Sequence, residues 1–150
     1  MDKEMNDLYY VCSLIEFMSR MTKNHNRRIV ELLGKEELKR QLYLAEVNHC
    51  LSFEEVAGEL VNEFGIKEGD FDSVGRCRYK IPSTTSIGGV YRDLILDIIK
   101  QDEEKKSFVD VMYEVFTSFI SDEISDFNTS TYYENPSYIY HSYKSGKLLD

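Results

Sequence analysis

The chain has 150 residues, 42% hydrophobic and 13% aromatic, enough for one domain with a real core. Its formal net charge is −9, with a balance of 0 over residues 1–50, −3 over 51–100 and −6 over 101–150. Nucleic-acid binding needs clustered Lys and Arg to neutralise phosphates, so this distribution argues against it, while an acidic surface fits a basic protein partner or simply solubility.

Residues 6–22 read as a helix, because Leu8, Val11, Ile15 and Met18 recur at helical spacing. Polar Thr22 to Asn26 breaks it, and a short second helix spans Arg27 to Leu33, with Asn26 as N-cap and Gly34 at C′. A third runs from Lys35 to about Asn48. The fourth has the clearest start: Ser52-Phe53-Glu54-Glu55 is a capping box, flanked by Leu51 and Val56 at the hydrophobic-staple positions. Phe53, Val56, Ala57, Leu60, Val61 and Phe64 form its apolar face and Gly65 ends it.

Residues 65–85 are irregular, punctuated by Gly65, Gly69, Gly75 and Pro82, with Arg78 to Ile81 as a possible extended piece. A loop of this length inside a compact domain is often functional. Ser83 to Ser86 offer caps for a fifth helix with Val90, Tyr91, Leu94, Ile95 and Ile98 on its buried side, and Gly88-Gly89 allows close backbone approach. After a charged break at 102–106, a sixth helix carries Phe108, Val111, Met112, Val115, Phe116, Phe119 and Ile120 and fades near Ser125. In the tail, Asn135 at N-cap, Pro136 at N1 and Gly146 at C′ bracket a short helix. Five of the eleven tyrosines lie here: Tyr132, Tyr133, Tyr138, Tyr140 and Tyr143. A solvated tail would be poor in aromatics, so this end docks on its own domain or on a partner.

No apolar run approaches the roughly 20 residues of a membrane span. The charged opening Met1-Asp2-Lys3-Glu4 and the interruption at Glu16 speak against a signal peptide. Cys12, Cys50 and Cys77 are an odd, widely spaced set, read as reduced thiols of a cytoplasmic protein. Asp70-Phe71-Asp72-Ser73-Val74-Gly75 matches a calcium loop at positions 1, 3 and 6 but places Val74 at 5 and Ile81 at 12, so a turn with capping carboxylates is the better reading. No metal and no cofactor is expected. Adjacent His49 and Cys50 diverge by about 100° on a helix and make a poor nucleophile–base pair. Arg76, Arg78 and Lys80 form a small basic cluster that serves either internal salt bridges or a contact.

Arg20 and His25 are spaced Arg-x4-His, with Lys23, Arg27 and Arg28 nearby. This resembles the Arg-x4–6-His motif of HEPN domains, small all-helical ribonucleases, although Met21 stands where those domains usually place a polar residue. The resemblance implies an alternative reading: metal-independent ribonuclease activity with Arg20 and His25 facing the scissile phosphate in a homodimer.

A second resemblance rests on Leu14-Ile15-Glu16-Phe17 with Thr22-Lys23-Asn24, on Glu68-Gly69-Asp70-Phe71-Asp72, and on Asn135-Pro136-Ser137-Tyr138 with Ser142-Tyr143-Lys144-Ser145-Gly146. These segments look like those of small uncharacterised bacterial and phage proteins that accompany toxin–antitoxin-like operons. The resemblance implies a binding role beside a toxin-like partner and transfers no catalytic residue.

The expected fold is all-α: an irregular bundle of six to seven helices over residues 1–127, with the tyrosine-rich tail 128–150 packed on it. The expected function is that of a non-enzymatic, antitoxin-like protein-binding module, with Tyr138, Tyr140 and Tyr143 as anchors. Another protein is the expected partner, with a homo-oligomer possible; a membrane is not expected, and nucleic acid is disfavoured. An accessory structural protein is the remaining alternative.

Overall fold

Residues 2–150, described in a computed structural model, form seven α-helices and no strand. They are α1 (Asp2–Thr22), α2 (Asn26–Asn48), α3 (Phe53–Phe64), α4 (Thr84–Gln101), α5 (Phe108–Phe116), α6 (Phe119–Ser125) and α7 (Pro136–Ser145), with a 3-10 turn at Thr131–Tyr133. The fold is thus the all-α bundle that the periodicity predicts.

Five of the helices start on a side-chain cap. Ser52, Ser83, Ser107 and Ser118 accept from the backbone amides of Glu55, Ser86, Asp110 and Ile120, and Asn135 accepts from that of Ser137. Each such cap is worth about 1 kcal/mol. The Ser52 cap is closed at 3.1 Å, but the Glu55 carboxylate meets the Ser52 hydroxyl at 3.4 Å, with no bond back to the Ser52 amide.

The core is built around α1 and α4, the most extensively packed pair. Every residue of α1 from Val11 to Glu16 is buried, so the helix is enclosed on all sides. The two helices meet at a small-residue crossing: a Cβ added at Gly88 would lie 2.0 Å from Ser13 Oγ and 3.0 Å from Ser13 Cα. Below it, Tyr91 stacks on Phe116 of α5 at 4.1 Å between ring centroids. The α2 helix covers α1 and α5, while α3 leans on α1 through Phe53, which stacks between Tyr10 and Phe17.

Three expectations change. The predicted second and third helices form one element, α2, kinked where Gly34 adopts φ 78°, ψ 167°. Its N-cap position is His25 rather than Asn26, because the Asn26 side chain is drawn into the core instead of turning back on the helix. The predicted sixth helix is two, α5 and α6. Thr117 Oγ1 and Ser118 Oγ donate back to the carbonyls of Tyr113 and Val115, and Ser118 then caps α6. Hydroxyls competing for backbone groups break helices in this way.

The irregular stretch 66–83 is stitched to the α1–α2 turn. The amides of Gly69 and Phe71 donate to the carbonyls of Thr22 and Lys23 at 2.8 and 2.9 Å, and Asn24 Nδ2 donates to the Lys67 carbonyl at 3.0 Å. A Cβ at Gly69 would fall 2.6 Å from the Lys23 carbonyl, so the approach requires glycine. Arg76 to Ile81 pairs with no strand. Asn128 holds it instead, accepting from the Arg78 amide at 2.8 Å and donating to the Arg76 carbonyl at 3.0 Å.

Candidate functional site

Two arrangements of polar groups bear on function: a network inside the bundle and the exposed faces around it. The network begins at Glu16, 1% exposed on α1. Its Oε2 accepts from Arg20 Nε at 2.7 Å and its Oε1 from Asn26 Nδ2 at 3.0 Å. Asn26 Nδ2 also reaches Tyr91 OH at 3.3 Å, which lies 2.9 Å from Ser121 Oγ. Four elements are therefore tied by one buried chain of hydrogen bonds: α1, α2, α4 and α6. Burial pushes the Glu16 carboxyl above its ordinary range, opposed by the Arg20 charge and by the Asn26 and Arg20 hydrogen bonds. Burial likewise raises the Tyr91 phenol.

This network accounts for Arg20. Its guanidinium is spent inside the molecule, on Glu16, on the Pro82 carbonyl at 2.9 Å and on the Phe127 ring at 5.1 Å. His25 lies elsewhere, half-exposed, stacked on Phe71 at 3.7 Å with Nδ1 3.8 Å from Asp122 Oδ1. Arg27 caps the broken end of α5, donating to the carbonyls of Thr117 and Ser118 and pairing with Asp122 at 3.0 Å. Lys23 faces Glu68 at 3.5 Å. Three of the four cations around the Arg-x4-His spacing thus have carboxylate partners within the chain.

The tail tyrosines divide. Tyr140 is only 7% exposed, packed with Ile139 against the bundle, where α7 meets α4 and α6. Tyr138 is half-buried and its hydroxyl donates to the Leu149 carbonyl at 2.9 Å, folding the last residues back over α7. Tyr143 is half-buried, and burial raises its phenol, aided by Glu114 and opposed by Lys106. The tail docks on its own domain, and of the three expected anchors Tyr140 is closed to a partner.

Most of the exposed large apolar side chains lie outside the tail, where Tyr133 and Leu149 are the exposed ones. Tyr43 is 83% exposed and Val47 69%, one turn apart on α2, and Leu51 follows one turn further on at 43%. The chain then turns into α3, whose solvent side carries Glu54, Glu55, Glu59 and Glu63 and no basic residue. Among the described residues none of these four carboxylates has an ion-pair partner. Periodicity could have flagged Tyr43 and Val47: they fall off the stripe of Leu38, Leu42 and Ala45.

Asp72 Oδ1 accepts from the Gly75 amide at 2.8 Å, so this carboxylate caps its own turn. Cys50 Sγ lies 3.6 Å from His49 Nδ1 at the exposed end of α2, and Cys12 is buried, its thiol pushed up by desolvation. Among the described residues no helix is long and apolar enough to cross a membrane, and no group of three or more His, Cys, Asp or Glu is placed to hold a metal ion. No family model matches the chain, and neither a curated protein nor a solved structure does.

Proposed function

We propose that the chain is a non-enzymatic protein-binding module of a bacterial or phage-infected cytoplasm, antitoxin-like in holding a partner protein. The observation that carries this reading is the exposed run Tyr43, Val47 and Leu51 beside the unpaired glutamates of α3. Lys39 stands one turn before Tyr43, so the acidic flank lies on the α3 side, and an apolar anchor beside that flank fits a partner segment that is both apolar and basic. Aromatic side chains at the centre of such a patch commonly dominate binding energy. The net charge of −9 steers a basic partner toward the molecule. The resemblance to proteins beside toxin-like neighbours implies a binding role of the same kind.

The tail is a support in this reading rather than the contact surface, because Tyr140 and Ile139 are already in use inside the bundle. The ribonuclease alternative finds no support in the placement of Arg20, which faces Glu16 and Pro82 rather than His25.

Affinity capture from the native host, followed by mass spectrometry, should recover a basic protein with the parent chain. Val47→Asp combined with Tyr43→Ala should lose it, while Tyr133→Ala, a change at another exposed tyrosine, should not. A partner retained undiminished by the α2 double variant would refute this surface.

A further inference from the structure

One face of the molecule has the opposite electrostatic character. Arg76, Arg78 and Lys80 are all exposed, and among the described residues none pairs with a carboxylate. Of the two roles expected for this cluster, internal salt bridges are not formed among the described residues. Arg76 rests over the Phe71 ring at 5.3 Å and Arg78 over Tyr79 at 6.0 Å. Beside them runs a groove of about 430 Å³ between this segment and residues 127–133. Tyr79, 64% exposed, and Tyr133, 67% exposed, present their rings along it, and Lys80 stands among its lining residues.

The groove is held open by structure on both sides. Asn128 bonds the backbone at Arg76 and Arg78, which fixes the basic segment against the groove wall. On the far side Tyr132 packs edge-on to Phe127 at 5.7 Å and to Tyr133 at 4.9 Å, which orients the Tyr133 ring. The acidic groups close by are Asp72, Asp126 and Glu134: Asp72 accepts from the Gly75 amide, Asp126 from the Asn128 amide and Glu134 from Ser130 Oγ, and none of them lines the groove.

We propose that this groove binds a nucleotide unit, with an aromatic base stacked on Tyr79 or Tyr133 and its phosphate held by Lys80 and Arg78. Stacking tolerates any base, while the guanidinium and ammonium groups supply phosphate affinity. The net charge of −9 does not forbid this. At physiological salt the Debye length is about 8 Å, so a local patch outweighs carboxylates on the other faces. The shared chemistry is a base joined to a phosphate, and its source is either a free mononucleotide or a single strand of nucleic acid.

The test uses the full chain with three probes: a fluorescein-labelled ten-nucleotide single strand read by anisotropy, and UMP and inorganic phosphate read by chemical-shift titration. Saturable binding of the strand or of UMP, at least tenfold tighter than phosphate, is the expected result; which of the two binds tighter identifies the source. For the strand, the two phosphate contacts from Arg78 and Lys80 give a slope of log affinity against log salt of about −1.4. Tyr79→Ala combined with Tyr133→Ala, and separately Lys80→Glu, should each weaken binding about tenfold, all being surface changes that leave the fold intact, whereas Tyr43→Ala should leave it unchanged. No saturable binding of either nucleotide probe at 50 mM salt, phosphate binding as tightly as UMP, or full binding by the Lys80→Glu variant would each overturn the assignment.

Discussion

Glu16 shows what a single buried charge costs and how the molecule answers it. The carboxylate is surrounded by α1, α2, α4 and α6, and among the described residues Arg20 is the one cation bonded to it. Removing one partner of a buried ion pair leaves the other uncompensated and typically costs about 3–5 kcal/mol. Arg20→Ala should therefore destabilise the protein by about that much at pH 7. The pH dependence has a definite sign. Burial already raises the folded-state pKa of Glu16, and the Arg20 charge opposes that rise. Without Arg20 the folded state holds the Glu16 proton more tightly than the unfolded chain does, so stability falls as pH rises above the ordinary carboxylate range. The deficit of the variant should shrink as pH is lowered from 7 toward 5. Urea denaturation of both proteins across that interval measures it, and a deficit independent of pH would contradict this account of Glu16.

At the scale of elements, the α1–α4 crossing is set by two small residues, Ser13 and Gly88. Gly88→Ala inserts a methyl where Ser13 already sits, and overpacking of this kind costs about 1–3 kcal/mol. Its neighbour Gly89 is different: a Cβ there makes ordinary contacts, 3.6 Å to Arg92 and 3.8 Å to Tyr9. Gly89→Ala should be neutral or stabilise by up to about 1 kcal/mol, because glycine is a poor helix former. Paired urea titrations should place the two variants on opposite sides of the parent, and similar midpoints would mean that the crossing adapts by sliding. The α5–α6 break is a second element-scale feature. Thr117 and Ser118 turn their hydroxyls on the backbone there, and Arg27 from α2 takes the freed carbonyls, so the chain bends where a continuous apolar stripe would have kept it straight.

For the whole molecule, the decisive fact is that the last helix completes the bundle. Ile139, Tyr140 and Ser142 are buried where α7 meets α4 and α6. Tyr140→Ala should cost on the order of 3 kcal/mol, in the range for large aromatic-to-alanine changes in cores. Deleting residues 128–150 should lower the thermal midpoint by many degrees and expose apolar surface that binds a hydrophobic dye. A truncated chain as stable as the parent would show that the tail is an appendage. With Ile139 and Tyr140 committed inward, the contacts proposed for other molecules fall on two faces, one acidic and apolar along α2 and α3, the other basic and aromatic beside Tyr79 and Tyr133.

Helical periodicity, serine and asparagine caps and the bracketing of the tail by Pro136 and Gly146 were enough to determine an all-α chain and most of its helix boundaries, because these signals are local. The kink at Gly34 was legible in the same way, as a helix end, but whether the chain continued beyond it depended on what α2 packs against. The fates of Arg20, Asn26 and Arg27 could not be read locally. Each is a polar residue near a helix end, and each is recruited by a group far away in sequence: Pro82 for Arg20, Tyr91 for Asn26 and Thr117 for Arg27. The same holds for the tyrosines. Composition marked the tail as sticky, and tertiary packing decided which rings were consumed, since burial depends on the neighbours a side chain meets and not on its own type. Thus Tyr140 went into the core, while Tyr43, off the apolar stripe of its helix, and Tyr79 and Tyr133 were left facing solvent.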